Sequence, residues 1–159
     1  MFGVLQRLSI IEQSPQRLVL RELPLMEWLF AGALFLTAIN LAFFDLWITA
    51  MITVVIALAY SLQTRIRLIV FDVASGTMQV WYQYPLKQKM VNQERLDEIS
   101  RAYLSQDDTG ATQIVLVKTN GLEMGLSVYS QDVKDWKEVV VIAINAILHE
   151  AHRDDDDKV

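Results

Sequence analysis

The sequence predicts a membrane-inserted helical hairpin joined to an α+β domain, in which a bent antiparallel sheet or open barrel is capped by a C-terminal helix. Three observations predict it. Residues 25–62 carry no Lys or Arg, and their only acids are Glu27 and Asp45. Short alternating segments separated by turn residues lie on both sides of that stretch. From residue 130 onward the apolar period lengthens from two to that of a helix.

The uncharged stretch comes first in the argument because it excludes an ordinary soluble chain. It spans 38 residues, too long for one span of about 20. It fits two spans, 25–44 and 46–62, joined by a tight turn within 40–46. It starts too late, and lacks the small-residue cleavage site, for a secretory signal. Arg7, Arg17 and Arg21 precede the first span, and Arg65 and Arg67 follow the second. The turn carries no basic residue, so both termini are expected on the cytoplasmic side, or the stromal side of a thylakoid. Trp28 and Tyr60 mark one interface, and Phe43, Phe44 and Trp47 mark the other. Of the polar span residues, Glu27 is read as snorkelling. Asn40, Thr49 and Thr53 are the candidates for contact with a partner helix. Neither span contains a histidine, the commonest ligand of pigment magnesium. No cofactor is expected, although a chlorophyll or carotenoid contact along the hairpin is compatible with the sequence.

Before the hairpin, residues 8–12 and 17–21 read as strands around a turn at Ser14, Pro15 and Gln16. After it, residues 65–72 alternate, with Ile66, Leu68 and Val70 expected on one face. A turn at 74–76 leads to a strand at 77–84, with Met78, Val80, Tyr82 and Tyr84 on one side. Residues 87–93 and 96–105 are weaker strands, and 107–110 a loop. Residues 113–119 are a β-branched run. Asn120-Gly121 signals a two-residue hairpin turn, and 122–128 alternate once more. Val133, Trp136, Val140, Ala143, Ile144 and Ile147 then fall at helical spacing, with Trp136 expected against the sheet. Val139, Ile142 and Ala146 make a second apolar stripe. It is either buried on a wide face or a docking surface, and Ile142 and Ala146 are its candidate contacts.

The resulting division is 1–23, a strand pair joining the β-domain; 24–63, the transmembrane hairpin; 64–152, the extramembrane domain; and 153–159, an acidic tail. Residues 154–158 read DDDDK, the form of an engineered cleavage or epitope tag, and are left out of the functional reading.

Chemistry is sparse. The chain has no cysteine, 53% apolar residues and a net charge of −5, which gives no thiolate site and no basic nucleic-acid surface. There is no phosphate-binding glycine loop. His149 and His152 lack the spacing of a zinc helix and read as a solvated helix end. The acid pairs Asp97/Glu98 and Asp107/Asp108 read as an edge and a turn, so no enzyme is expected and no catalytic or metal residue is named. Arg65, Arg67, Lys87 and Lys89 form a candidate patch for lipid head groups.

Several antiparallel strands closed by one C-terminal helix is the plan of a pleckstrin-homology-like domain, here with a hairpin inserted after the first strand pair. Residues 71–80, FDVASGTMQV, are similar to the strand, F-x-x-x-x-G, strand motif of the photosystem I assembly proteins of cyanobacteria and chloroplasts. The segment 10–21, IIEQSPQRLVLR, resembles the start of small two-span cyanobacterial membrane proteins. This resemblance implies a thylakoid accessory factor that contacts photosystem subunits or assembly intermediates. The alternative from the residues themselves is a general membrane-anchored adaptor that binds lipid or other proteins.

Overall fold

Two strands, a helical pair, six more strands and a final helix follow one another in the computed structural model, which describes residues 8–129 and 134–156, with side chains at 8–129 and 135–153. Strands β1 (Leu8–Gln13) and β2 (Arg17–Glu22) are joined by a turn that Ser14 and Arg17 close with reciprocal backbone hydrogen bonds of 2.8 and 3.3 Å. Helices α1 (Leu25–Phe43) and α2 (Trp47–Gln63) come next. They are followed by β3 (Ile66–Asp72), β4 (Thr77–Gln83), β5 (Gln88–Arg95), β6 (Ile99–Gln106), β7 (Thr112–Lys118), β8 (Glu123–Gly125) and α3 (Lys134–Asp156).

All pairings are antiparallel. One sheet has the order β1-β2-β3-β4-β5 and the other β6-β7-β8. Strands β2 and β3 are direct neighbours, with Glu22 opposite Arg67. The helical pair therefore occupies the place of an ordinary β-hairpin turn. The core lies between the two sheets and α3. Leu18, Leu20, Ile69, Phe71, Met78 and Val80 come from the first sheet, Ile99, Ile114 and Leu116 from the second, and Val140, Ala143, Ile144 and Ile147 from α3. The architecture is α+β.

Four details refine or correct the sequence reading. On β3 Ile66, Leu68 and Val70 share a face as expected, but the inner face is the other one, carrying Ile69 and Phe71, both fully buried. Residues 68–71 are apolar in both phases, so only the covering layer sets which phase points inward. Leu96–Glu98 is a turn of 3-10 helix that hands the chain from β5 to β6. The loop after β7 has three residues, not two. Lys118 N–H bonds the Leu122 carbonyl, Gly121 N–H bonds the Lys118 carbonyl, and Gly121 has φ 83°. That is a type I turn closed by a left-handed glycine. Finally, β8 spans only three residues. Beyond it, one backbone bond, Leu126 N–H to the Ile114 carbonyl at 2.7 Å, is supplemented by side chains: the Gln113 amide donates to the Ser127 carbonyl at 2.6 Å, and Ser127 Oγ accepts the Ile114 N–H at 2.9 Å. Gln113 crosses Gly125 so closely that a Cβ there would lie 2.3 Å from its Nε2.

Helix α3 is fixed by polar contacts as well as by its apolar face. Asn145 accepts the Ala102 N–H at 2.7 Å and donates to the Ala102 carbonyl at 3.0 Å. This saturates both backbone groups of one residue on the edge strand β6. Lys137 is fully buried, and its ammonium donates to the Thr112 carbonyl and hydroxyl at 2.5 and 2.9 Å. Trp136 packs against the core as expected but keeps part of its ring exposed. Val133 and Arg7, used above, and the last three tail residues lie outside the described residues.

In the helical pair, α1 is long and apolar enough to cross a membrane, while α2 is apolar but shorter, with 17 residues. At 1.5 Å per residue these rise about 28 and 26 Å, against about 30 Å of hydrocarbon. The turn between them is built on Asp45, which has φ 58°. Leu46 N–H bonds the Leu41 carbonyl at 3.0 Å and Asp45 N–H the Ala42 carbonyl at 3.2 Å. This pair of bonds is the Schellman stop usually made with glycine. Asp is among the few side chains that tolerate the left-handed region. The helices meet along Ala31, Ala38, Ala50 and Ala57, all buried, so small side chains let the backbones approach. An edge-on contact of Phe30 with Tyr60, centroids 5.2 Å apart, closes the open end.

Candidate functional site

Three surfaces can carry function, and the first is the outside of the helical pair. Every buried residue of α1 and α2 is an alanine, while the large side chains face outward. Leu36 is 64% exposed, Ile48 79%, Met51 68% and Phe43 82%. Contiguous apolar surface of this extent marks a site of contact with protein or membrane. The candidate partner contacts are less available than the sequence implied. Asn40 lies in α1, where its amide donates to the Leu36 carbonyl at 2.9 Å. Thr53 donates to the Thr49 carbonyl at 2.8 Å. Thr49 itself is exposed. Asn40 thus lies within α1, and its amide and the Thr53 hydroxyl each make one bond within their own helix. An apolar groove of about 360 Å³ opens beside the turn, lined by Phe35, Ala38, Ile39, Ala42, Ala50 and Met51 among others.

The second surface is the outer side of α3. Ile142 is 69% and Val139 55% exposed, and Ala146 is exposed as well. Of the two readings of this stripe, the structure leaves it in solvent. Ala146 also lines a cleft of about 470 Å³ between α3 and the β1–β2 turn, together with Gln13, Ser14, Pro15 and Glu150.

The third surface lies where the helical pair meets the first sheet. Here the core face changes character. Inward positions along β3 run Phe71, Ile69, then Arg67 and, just before the strand, Arg65. Along β4 they run Met78, Val80, then Tyr82 and Tyr84. One row across all five strands reads Leu8, Glu22, Arg67, Tyr82, Lys89. The Tyr84 N–H bonds the Lys87 carbonyl at 2.8 Å, which brings Lys87 to the same end. The structure therefore gathers all four residues of the sequence-predicted basic patch at one sheet end. The Arg65 guanidinium lies 4.2 Å from the Tyr82 ring centre, and the Lys87 ammonium 5.3 Å from that of Tyr84. Arg67 donates to the Leu126 carbonyl at 2.9 Å and pairs with Glu22 at 3.5 Å. Sequence reasoning missed Glu22 and the two tyrosines as members of the patch. With the phase of β3 set correctly, Arg65 and Arg67 would have fallen in line with them.

The remaining charged groups serve the scaffold. Asp97 pairs with Arg95. Asp107 accepts from the Thr109 hydroxyl and from the Thr109 and Ala111 N–H groups, which holds its carboxyl below the usual carboxylate range. A 2.7 Å bond from Lys118 likewise lowers Glu94. The Glu123 carboxylate, accepting the Tyr103 hydroxyl proton, raises that phenol. His152 bonds the Leu148 carbonyl, and His149 is exposed. Among the described residues, no group of three or more His, Cys, Asp or Glu side chains is placed to hold a metal.

No protein-family model matches this chain, and no curated protein matches it.

Proposed function

We propose that the chain is a non-catalytic accessory factor anchored in a membrane by its helical pair, which holds an integral membrane complex through the hairpin and the α3 face. The observation that carries this reading is the inside-out construction of the pair: alanines within, large apolar side chains without. Both spans would leave the bilayer on the side that carries the arginines, so the domain sits on the cytoplasmic or stromal side. Two sheets and a C-terminal helix support the reading of that domain as pleckstrin-homology-like. Such a domain would act as a rigid mount: neither candidate contact is strong alone, and two on one body raise effective concentration. The sequence resemblance makes an assembling photosystem in a thylakoid the first class of complex to test.

The test is affinity isolation in gentle detergent with identification of co-purifying proteins and pigments. A membrane complex should co-purify and be lost with Ile142→Asp and with an unrelated hairpin. Photosystem subunits would support the thylakoid reading. Partners unchanged by the hairpin swap would reduce the hairpin to an anchor.

A further inference from the structure

We propose that the basic and aromatic end of the first sheet is a binding site for anionic phospholipid head groups, with the β4–β5 turn dipping into the bilayer surface beside the hairpin. This inference rests on the membrane reading above. Its first support is placement. Strand β2 ends at Glu22, three residues before α1, and α2 ends at Gln63, three residues before β3. The patch residues thus stand at the foot of the helical pair, at head-group depth if the pair is inserted.

The second support is charge. The chain is acidic overall, at −5, yet four cations meet here. Arg67 is partly offset by Glu22. Arg65, Lys87 and Lys89 have no carboxylate within salt-bridge distance among the described residues. Arg65 and Lys87 rest instead on tyrosine faces, which orient a cation without neutralising it. Counting Glu22 and Glu27 against the four, two positive charges remain. Cations at this depth are attracted to anionic lipid.

The third support is a set of unmet hydrogen bonds. A cleft of about 210 Å³ is lined by Glu22, Glu27, Arg65, Arg67, Tyr82 and Val128, among others. Arg67 Nε and Glu27 Oε2, on two of these lining residues, are buried with no hydrogen-bond partner. Once the side chains turn to admit a ligand, a phosphate oxygen would accept from the first and a head-group hydroxyl would donate to the second, which favours a glycerol over a choline head group. The fourth support is Leu86, at the tip of the β4–β5 turn. It is 86% exposed and lies beside Lys87, an apolar tip with cationic shoulders. Such a turn suits an interface and not bulk water.

The chain has no native cysteine, so one reporter can be placed cleanly. Full-length Leu86→Cys, labelled with an environment-sensitive fluorophore, would be reconstituted into nanodiscs of phosphatidylcholine alone or with phosphatidylglycerol. The same label at Ala74→Cys, in the β3–β4 turn at the far end of the sheet, is the reference. Incorporation into both discs reports the hairpin; the label reports the site. The expected result is a blue shift at position 86 in phosphatidylglycerol discs. It should be absent at position 74 and reversed by 0.5 M salt, where the screening length is about half its value at physiological ionic strength. Arg65→Gln/Lys87→Gln/Lys89→Gln should abolish it while leaving incorporation and far-ultraviolet dichroism unchanged. Equal emission in the two discs overturns the proposal while leaving the anchor intact. A shift that millimolar inorganic phosphate reproduces in neutral discs overturns it too, by assigning the site to a soluble anion. Failure to enter either disc removes the membrane reading, and the proposal with it.

Discussion

The helical pair and the β-domain are built on opposite packing rules. In the pair, alanines fill the seam and Leu36, Ile48 and Met51 point out. In the domain, Phe71, Ile69 and Met78 point in, and among the described residues every charged side chain but the buried Lys137 keeps some exposure. Water rewards hiding large apolar groups, and the domain follows that rule. Under the proposed membrane reading the pair would face lipid, which does not distinguish such groups from itself, so close backbone approach would decide its packing.

The sharpest break of this comparison is a matched pair of truncations. Phe71→Ala should cost the domain about 3–5 kcal/mol, whereas Leu36→Ala should change the stability of the pair by less than about 0.5 kcal/mol in a bilayer mimic. Urea melts of the reconstituted protein measure both. A large loss at Leu36 would show that its side chain packs against protein.

Enlarging a seam residue is the converse. Ala57→Leu should destabilise the pair by about 1–3 kcal/mol through overpacking; cysteine cross-linking across the seam would report the separation. In the domain, Asn145→Leu leaves the Ala102 N–H and carbonyl without their side-chain partner, a loss of about 1–3 kcal/mol. Hydrogen exchange at Ala102 would locate it.

Acid should act on the domain, through ion pairs outside the spans. The Glu94 carboxyl is held below its ordinary value by Lys118. Its contribution is present above the ordinary carboxylate range and is lost as pH falls through the lowered value. Melting temperature should therefore drop on acidification below about pH 4, and Lys118→Met should flatten that slope. The smallest effect is expected at the turn. Asp45→Gly relieves a left-handed Asp and should stabilise the pair by a few tenths of a kcal/mol, since Asp already tolerates that region.

Much of this plan was legible because its signals are local. The uncharged run, the Ser14–Gln16 turn, the alternation at 77–83 and the helical period after residue 133 each depend on near neighbours in sequence. The basic patch was legible as four residues, but its membership and geometry were not. Glu22 and Tyr82 join Arg67 through strand register across distant segments, which no short window of sequence contains. Asn145 reaches Ala102 across 43 positions, and Lys137 reaches Thr112 across 25. No periodicity announces either.

The sequence by itself determined that two apolar helices interrupt a β-protein. Composition is enough for that, because desolvation of charge and apolar burial depend on residue type alone. Only the tertiary structure decided which face of β3 is the core. From Leu68 to Phe71 either phase would bury apolar surface, and the choice belongs to α3 and the second sheet that cover one side. That choice carries Arg65 and Arg67 with it, onto the face they share with Tyr82.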